Sequence, residues 1–232
     1  TEAGAQFIHH QTFNAQYAAI LAQDFPAWLM HQFKNLRSLH IGNNFHYGQN
    51  RLGNAERLIH DSKTLGLSVH SSPAIQFEGD SVSSSRIRGA LVDGNIELAN
   101  RLLLRPYESE GILIEGQKLG RAIGYPTLNM AWNPELQPAF GVYAVECINT
   151  SGIAEPAIAN WGMRPTVESS ATKPLLEIHL LRPTEDLPTH GETLRVRWVD
   201  RIRNEQKFLD LKALEQQIKI DVQKAKNVHG LS

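Results

Sequence analysis

The segment 116–130, GQKLGRAIGYPTLNM, carries the densest group of residues that could contact a phosphate. Two glycines, Gly116 and Gly120, stand close to the cations Lys118 and Arg121. Glycine lets backbone amides approach a ligand closely, and successive amides in a turn can form a concave site for anions. The first half of the segment therefore predicts a loop that closes on a phosphate group.

The second half of the segment supplies neutral oxygen donors. Pro126 fixes a turn, and Thr127 and Asn129 follow at alternate positions, where side chains of an extended chain point to the same side. A hydroxyl and an amide oxygen suit Mg²⁺ on a nucleotide, because this ion takes oxygen ligands and keeps phosphates and water among them. A glycine-rich hairpin followed by a proline turn is the alternative that the spacing leaves open.

A second group of possible phosphate ligands lies in the run 83–88, SSSRIR. Ser84 and Ser85 stand at a predicted helix start, and Arg88 follows in the first turns. Free amides at a helix start favour anions, and arginine can bind phosphate through two hydrogen bonds. The alternative is a helix cap with solvated arginines, since serine caps are frequent.

Glu177 is the candidate for acid–base chemistry. It lies between Leu176 and Ile178, so on a strand it faces away from the side that those two residues bury. A carboxylate beside a bound nucleotide could accept a proton from a substrate hydroxyl. An exposed glutamate without a chemical role is the alternative, because charged residues lie mostly at the surface.

Two further polar features leave their roles open. The segment 160–166, NWGMRPT, is predicted to be a polar turn that contains Asn160 and Arg164, and it forms either a ligand wall or a tight connection. Arg203 could pair with a ligand or with the surroundings of Glu205. The ten histidines show no metal-ligand spacing.

The elements that must position these residues fall into two parts. Strand candidates at 36–41 and 67–70 flank a predicted helix, a βαβ pattern that predicts a parallel sheet. Two or three strands are found before residue 80, fewer than a doubly wound domain has, and we expect that the chain lacks the start of this domain. Pro106 ends the next helical stretch, which places the domain boundary near 104–107.

Beyond Pro106 the pattern changes to short strands with glycine and proline turns, which predicts a small antiparallel barrel. In the last strand candidate Leu194, Val196 and Trp198 alternate with arginines, as expected for one buried and one solvated face. A final helix from about Asp210 is predicted to pack on the barrel. The strand candidates are 112–115, 142–148, 157–161, 175–181 and 193–199.

Composition excludes several classes of protein. The 232 residues include 23 Lys and Arg against 24 Asp and Glu, which argues against a nucleic-acid partner. No apolar run reaches the roughly 18 residues of a membrane span, and no signal-peptide pattern opens the chain. The one cysteine, Cys147, excludes an internal disulfide and favours a reducing compartment such as the cytoplasm. The oligomeric state is not predicted.

Taken in order, the motifs resemble the bifunctional bacterial riboflavin kinase/FMN adenylyltransferase family, also called FAD synthetase. IGNNFHYGQNRLGN and VSSSRIRGALVDGNIELANRLLLRPY are similar to the later part of its adenylyltransferase domain. Similar to successive pieces of its riboflavin kinase domain are EGQKLGRAIGYPTLNM, FGVYAV, AIANWGMRPT, LLEIHLL and the tail from RNEQKF to QQIKID. The common order of all these pieces makes the resemblance specific.

The resemblance implies both a fold and an activity. The implied fold is a partial α/β, Rossmann-like nucleotidyltransferase domain over 1–104, then a small antiparallel β-barrel riboflavin kinase domain with a C-terminal helix over 105–232. The implied activity is transfer of the γ-phosphoryl group of ATP to riboflavin, giving FMN and ADP, with Mg as the metal and riboflavin and ATP as the small-molecule substrates. The alternative is a catalytically inactive flavin-binding or regulatory protein on the same scaffold.

The resemblance also implies roles for individual residues. Glu177 is implied as the general base for the ribityl 5′-hydroxyl. The implied ATP-binding residues, of which Thr127 and Asn129 would hold the metal, are Gly116, Lys118, Gly120, Arg121, Pro126, Thr127 and Asn129. The implied flavin-binding residues are Arg203, Asn160 and Arg164. The implied phosphate-binding residues of the adenylyltransferase domain are Ser84, Ser85 and Arg88.

The sequence departs from the family pattern in three places. The early glycine-phenylalanine-aspartate-glycine-x-histidine-x-glycine-histidine motif is absent, so we expect little FAD synthesis from this chain, although the full-length family converts FMN and ATP to FAD and diphosphate. Leu181-Arg182-Pro183 replaces an aspartate-phenylalanine pair, which alters the loop after Glu177 but not Glu177 itself. PTLN replaces PTAN with little chemical consequence, and Ser85 stands where threonine is usual but keeps the hydroxyl.

Overall fold

A computed structural model describes residues 4–116, 124–165, 172–184 and 186–231, with the backbone alone at 164, 165, 172 and 173. The chain divides into two compact units, Thr1–Ser81 and Val82–Ser232. In the described ranges no helix is both long and apolar enough to cross a membrane.

The first unit is built around a pair of parallel strands. Its elements are α1 (Ala15–Ala18), α2 (Phe25–Gln32), β1 (Ser38–Gly42), β2 (His46–Tyr47), β3 (Gly53–Asn54), α3 (Ala55–Lys63), β4 (Ser68–Ser72), β5 (Gln76–Phe77) and β6 (Asp80–Ser81). Strand β1 pairs in parallel with β4, and α3 lies between them in the chain, so the predicted βαβ unit is confirmed.

Alternation in the parallel strands explains how this unit buries its core. Leu39 and Ile41 of β1 and Val69 of β4 pack against buried side chains that include Phe25 and Leu58. Residues two apart on a strand share a face, so one face of the strand pair meets the helices. The apolar residues that the sequence spaces in this way therefore decide how the sheet is oriented.

The second unit contains two helices, six strands and a final helix in the described residues. Its elements are α4 (Ser84–Asp93), α5 (Ile96–Leu103), β7 (Tyr107–Ile114), β8 (Leu128–Ala131), β9 (Gly141–Ile148), β10 (Ala154–Pro165), β11 (Thr172–Leu180), β12 (Thr193–Asn204) and α6 (Leu211–Val228). Strands β7–β12 close into an antiparallel barrel in the order β10-β11-β8-β7-β12-β9. The predicted barrel is confirmed.

Aromatic side chains fill the barrel interior. Trp161 and Trp198 are fully buried, and the ring of Tyr143 lies 4.7 Å from that of Trp198. Each indole nitrogen has a partner, because Trp198 Nε1 donates to Ser109 Oγ at 2.9 Å and Trp161 Nε1 donates to the Pro138 carbonyl at 3.2 Å. Buried polar groups are stable when hydrogen-bonded, so these bulky residues enter the core without an unpaired donor.

Helices α4 and α5 pack with the barrel in the same compact unit. The side chain of Asn100 donates to the Trp198 carbonyl at 2.8 Å and accepts from the Tyr107 amide at 2.7 Å. Arg201 donates to the carbonyls of Asp93 at 3.0 Å and Phe140 at 2.7 Å. The second compact unit therefore begins before these helices. The domain boundary between residues 104 and 105, which the resemblance implies, stays a prediction.

The turn predicted at 160–166 is wrong as far as residue 165, because β10 continues through Pro165. Within this strand, the missing side chain of Gly162 leaves room for the Glu205 carboxylate, which a Cβ at this position would meet. Strand β10 pairs with β9 along its first part and with β11 along its second, which explains its length. Residue 166 lies outside the described ranges.

The final helix packs on the outer face of the barrel, as predicted. Asp210 caps it by accepting a hydrogen bond from the Ala213 amide at 2.7 Å. Ala225 and Val222 lie against Val142 of β9 and other apolar residues of the outer face. Helix α6 therefore covers one part of the outer face and leaves the neighbouring part to polar residues.

Candidate active site

Three polar residues lie side by side on neighbouring strands of the barrel. Glu177 of β11 is opposite Asn129 of β8 on one side and opposite Asn160 of β10 on the other. Directly opposite residues carry their side chains on the same face, and adjacent strands are about 4.8 Å apart. Leu176 and Ile178 are buried in the barrel, so Glu177 faces outward, as predicted. We call Asn129, Glu177 and Asn160 the outer polar row.

The row continues toward Arg203 beneath the edge of the final helix. Asn160 is opposite Val142 of β9, and Val142 is opposite Arg203 of β12. Val142 is 5% exposed and belongs to the apolar cluster that α6 covers. Arg203 is thus two strand spacings, about 10 Å, from Asn160, which is a separation that a small ligand could span.

Arg203 is held by an acidic residue of α6. Its Nε donates to Asp221 Oδ2 at 2.8 Å, and the two side chains are 17% and 3% exposed. Gln217 donates to the other carboxylate oxygen of Asp221 at 2.8 Å, and the Phe208 ring centre lies 5.7 Å from Arg203 Cζ. Of the two alternatives from the sequence, pairing near Glu205 is met in part, since Arg203 Nη1 donates to the Asn204 carbonyl at 2.8 Å, but the acidic partner is Asp221. The flavin contact stays a prediction.

At the Asn129 end of the outer polar row, Gly116 lies against the Asn129 side chain. Asn129 is 6% exposed, and a Cβ added at Gly116 would collide with its side-chain amide. Ile114 of β7 is opposite Asn129, so the chain after β7 is led directly past this amide. Thr127 immediately precedes β8 and is exposed. The remaining predicted residues of the glycine loop, Lys118, Gly120 and Arg121, lie outside the described ranges.

His179 joins the proline segment to β11. Its Nδ1 lies 2.9 Å from the Pro126 carbonyl oxygen, and its ring contacts the Tyr125 ring edge-on at 5.2 Å. Sequence reasoning missed this residue. The available signal was its spacing, because a residue two positions after Glu177 on a strand lies on the same face.

A second carboxylate, that of Glu205, lies near Asn160. It contacts Gly162, and the Asn160 amide nitrogen lies 3.6 Å from the position that a Cβ of Gly162 would occupy. No sequence signal indicates this approach, because β10 and β12 come near each other only as the two neighbours of β9 in the barrel. Arg164 follows on β10 opposite Lys173, and the structure describes its backbone alone.

The serine-rich run is a helix start, as predicted. Ser83 accepts a hydrogen bond from the Arg86 amide at 3.2 Å and is therefore the capping residue. Ser84, Ser85 and Arg88 lie in the first turns of α4 and are exposed. Their assignment to a phosphate stays a prediction. Over the described part of the chain, no group of three or more His, Cys, Asp or Glu could hold a metal ion.

Titratable groups of the barrel interior are kept neutral. Burial raises the pKa of Tyr143 to about 12, an effect that the nearby Arg201 guanidinium partly offsets. Burial also raises the pKa of the Cys147 thiol to about 12, and the Glu155 carboxylate adds to this shift. The Tyr143 hydroxyl donates to the Ala139 carbonyl. The interior thus serves packing, and the chemically capable groups lie on the outer face.

Two family models match different parts of the chain. A family model described as riboflavin kinase matches residues 103–229, and one described as FAD synthetase matches residues 1–86. The bifunctional riboflavin kinase/FMN adenylyltransferase of Escherichia coli strain K12 is 34% identical over the whole chain and 72% of its own length. The protein of the same name from Pseudomonas fluorescens is 35% identical over 92% of this chain and 68% of its own.

Two further likenesses extend the comparison. The Bacillus subtilis protein of the same name is 40% identical over 62% of this chain and 45% of its own length. A crystal structure described as a macrolide-efflux protein from Streptococcus pneumoniae is 31% identical, with a TM-score of 0.81 over 93% of this chain and 68% of that chain. The chain belongs to the bifunctional riboflavin kinase/FMN adenylyltransferase family, and the resemblance noted in the sequence is confirmed.

Proposed function

We propose that this chain is a riboflavin kinase that transfers the γ-phosphoryl group of ATP to the 5′-hydroxyl of riboflavin, forming FMN and ADP. The observation that carries the proposal is the outer polar row, in which a carboxylate lies between two amides on adjacent strands. The row falls within residues 103–229, the part of the chain that the riboflavin kinase family model matches. The inactive alternative has no support from the site, since the carboxylate and both amides are present.

Glu177 is the base in this proposal. As the ribityl oxygen forms its bond to the γ-phosphorus, the bond from that phosphorus to the bridging oxygen of ADP breaks. Glu177 either takes the hydroxyl proton or accepts a hydrogen bond from the hydroxyl that orients the attacking oxygen. Its position on a barrel strand, between buried neighbours on both sides, holds the carboxylate in one direction.

Asn129, Thr127 and Gly116 form the nucleotide side. Gly116 lets the backbone after β7 lie against the Asn129 amide, so both can be close to one phosphate. The oxygens of Thr127 and Asn129 fit Mg²⁺, because this ion on ATP needs one or two protein oxygens beside phosphates and water. When bound, the ion would offset negative charge on the phosphates. Lys118, Gly120, Arg121 and Pro126 complete the proposed nucleotide site.

Asn160 and Arg203 form the flavin side. Asn160 ends the row and Arg203 lies along its continuation, where Asp221 fixes the direction of the guanidinium. Arg164, the last residue but one of β10, is the remaining proposed flavin contact. A flavin placed here would present its ribityl chain toward Glu177, between the two amides.

Incubation of the protein with riboflavin, ATP and Mg²⁺, followed by chromatographic separation of the flavins, tests the proposal. We expect riboflavin to be converted to FMN with one ADP released per FMN. Formation of no FMN under these conditions would contradict the proposal. Omitting ATP and omitting Mg²⁺ are the two controls, and each should leave riboflavin unchanged.

The match of residues 1–86 to the FAD synthetase model favours a second activity for the family protein, conversion of FMN and ATP to FAD and diphosphate. Ser84, Ser85 and Arg88 are the residues that we propose for its phosphate contacts. The chromatographic separation of flavins described above also tests this second activity, because FAD formed from FMN would be a third flavin peak. The cytoplasm, where ATP is present and the Cys147 thiol would stay reduced, is the compartment that we propose.

A further inference from the structure

The contact between His179 and Pro126 lies where the pairing of β8 and β11 ends. The register of that pairing runs from Met130–Leu176 through Asn129–Glu177 to Leu128–Ile178. Beyond Leu128, the side chain of His179 reaches the Pro126 carbonyl oxygen at 2.9 Å. A side-chain hydrogen bond thus continues the attachment of the proline segment to the strand that carries Glu177.

The chemistry of this contact fixes the proton on the ring. A carbonyl oxygen can only accept, so the Nδ1 of His179 must carry the hydrogen and donate it. The Tyr125 ring packs edge-on against the imidazole at 5.2 Å, which restricts its rotation. The imidazole is therefore held from one side by an aromatic contact while it donates on the other.

The hydrogen bond acts on the residue that follows Pro126. The carbonyl of Pro126 and the amide of Thr127 belong to one planar peptide group. Fixing the oxygen therefore also fixes the direction of the Thr127 N–H and the starting direction of its side chain. Thr127 itself is exposed, so its surroundings impose little order on it without such an anchor.

We propose that His179 is a positioning residue for the ATP-binding segment, acting through the Pro126 carbonyl without contacting the substrate. The inference rests on the proposed kinase function. It predicts that loss of the Nδ1 donor weakens binding of Mg-ATP and leaves binding of riboflavin unchanged, because the flavin side of the row is on the opposite side of Glu177.

Three variants test this role in steady-state assays of FMN formation. His179→Leu keeps an apolar side chain against Tyr125 but cannot donate, and we expect its KM for Mg-ATP to rise roughly five- to tenfold. His179→Asn carries a donor near the position of Nδ1, and we expect it to restore KM to within about twofold of the wild-type value. His190→Ala removes an exposed histidine from the loop before β12 and serves as the control.

Calorimetric binding of Mg with a non-hydrolysable imido analogue of ATP gives a readout without turnover. The affinity should fall in His179→Leu and recover in His179→Asn. Equal behaviour of the two variants, or an equal rise in the KM for riboflavin, would overturn the positioning role. If His179→Leu does not fold, His179→Asn still tests the proposal. A normal KM for Mg-ATP in His179→Asn supports the role of the hydrogen-bond donor, and a raised KM shows that the aromatic ring itself is needed.

Failure of this inference is distinct from failure of the proposed function. A wild-type protein that forms no FMN contradicts the kinase proposal whatever the variants do. A wild-type protein that forms FMN, together with a His179→Leu variant of unchanged KM for Mg-ATP, contradicts the role of His179 alone.

Discussion

Glu177 and Asn129 are directly opposite each other on β11 and β8, with their side chains on the outer face of the barrel. A proposed base and a proposed phosphate ligand are thereby held about 5 Å apart at Cα by main-chain pairing. Hydrogen-bonded strands in a barrel core are among the most stable parts of a fold, so this distance is fixed by the barrel itself. The barrel thus holds the two groups in register.

Replacement of Glu177 by glutamine should lower kcat by roughly 10²- to 10⁴-fold, because the amide keeps the shape of the side chain but cannot accept the hydroxyl proton. The KM for ATP should change little. Glu110→Gln, which removes the same charge from an exposed position of β7, is the matched control and should keep activity within about twofold. Near-normal turnover by Glu177→Gln would show that the base is another group.

Gly116→Ala tests whether the backbone must lie against the Asn129 amide. A Cβ at residue 116 would collide with that side chain, so either the amide or the loop must move. Displacement of a catalytic group by about 1 Å can cost up to 10²-fold, and we expect kcat/KM for ATP to fall at least tenfold.

The control for Gly116 is Gly89→Ala on α4, where an added Cβ meets nothing within 4 Å. Alanine is a better helix former than glycine, so this variant should be fully active and more stable by up to about 1 kcal/mol. Equal activity of the two alanine variants would show that the space beside Asn129 is not needed.

The Arg203–Asp221 pair offers a way to separate stability from flavin binding. Asp221→Leu leaves a largely buried guanidinium without its partner and should lower the free energy of unfolding by about 3–5 kcal/mol. Replacing both residues, as Arg203→Met with Asp221→Leu, should recover most of that loss, since apolar residues of similar size replace buried ion pairs well. Urea unfolding followed by tryptophan fluorescence measures both changes.

The double variant then reports on the flavin contact. If Arg203 binds flavin, the stable double variant should still show a raised KM for riboflavin with an unchanged KM for ATP. Glu97→Ala, which breaks the exposed Arg101–Glu97 pair on α5, is the control and should change stability by less than about 1 kcal/mol. An unchanged KM for riboflavin in the double variant would assign Arg203 to the structure alone.

Local alternation accounts for what the sequence could predict. Leu194, Val196 and Trp198 are all buried, and Glu177 faces outward between buried neighbours, because side-chain direction on a strand depends only on position along it. The cap of α6 at Asp210 is likewise a local interaction. Such features need no knowledge of which strands are adjacent.

Contacts across the closed barrel could not be predicted in this way. Asp221 is separated from Arg203 by a loop and half a helix, and no local signal selects it over other acidic residues of the tail. A glycine such as Gly162 is typical of a turn. The reason for a glycine here is the space that the Glu205 carboxylate occupies, and this is seen only when β10 and β12 are placed around the barrel. The family resemblance supplied roles for residues, but it did not supply these partners.

The buried Tyr143 and Cys147 predict a loss of stability at alkaline pH. Their pKa values, ordinarily 10.0 and 9.0, are both raised to about 12 by burial in the folded barrel. The unfolded chain therefore releases these protons at lower pH than the folded chain does. The stability they contribute is fully present below about pH 9 and is lost as pH rises toward 12.

Unfolding free energies from urea titrations at pH 8 to 11 measure this loss, and variants assign it. Tyr143→Phe and Cys147→Ala each remove one group, so each should flatten the decline between pH 9 and 11 even if it lowers stability at every pH. Lysines also titrate in this range, but they do so equally in the wild type and in both variants. The comparison of slopes therefore isolates the two buried groups, and identical slopes in all three proteins would show that neither is kept neutral by the fold.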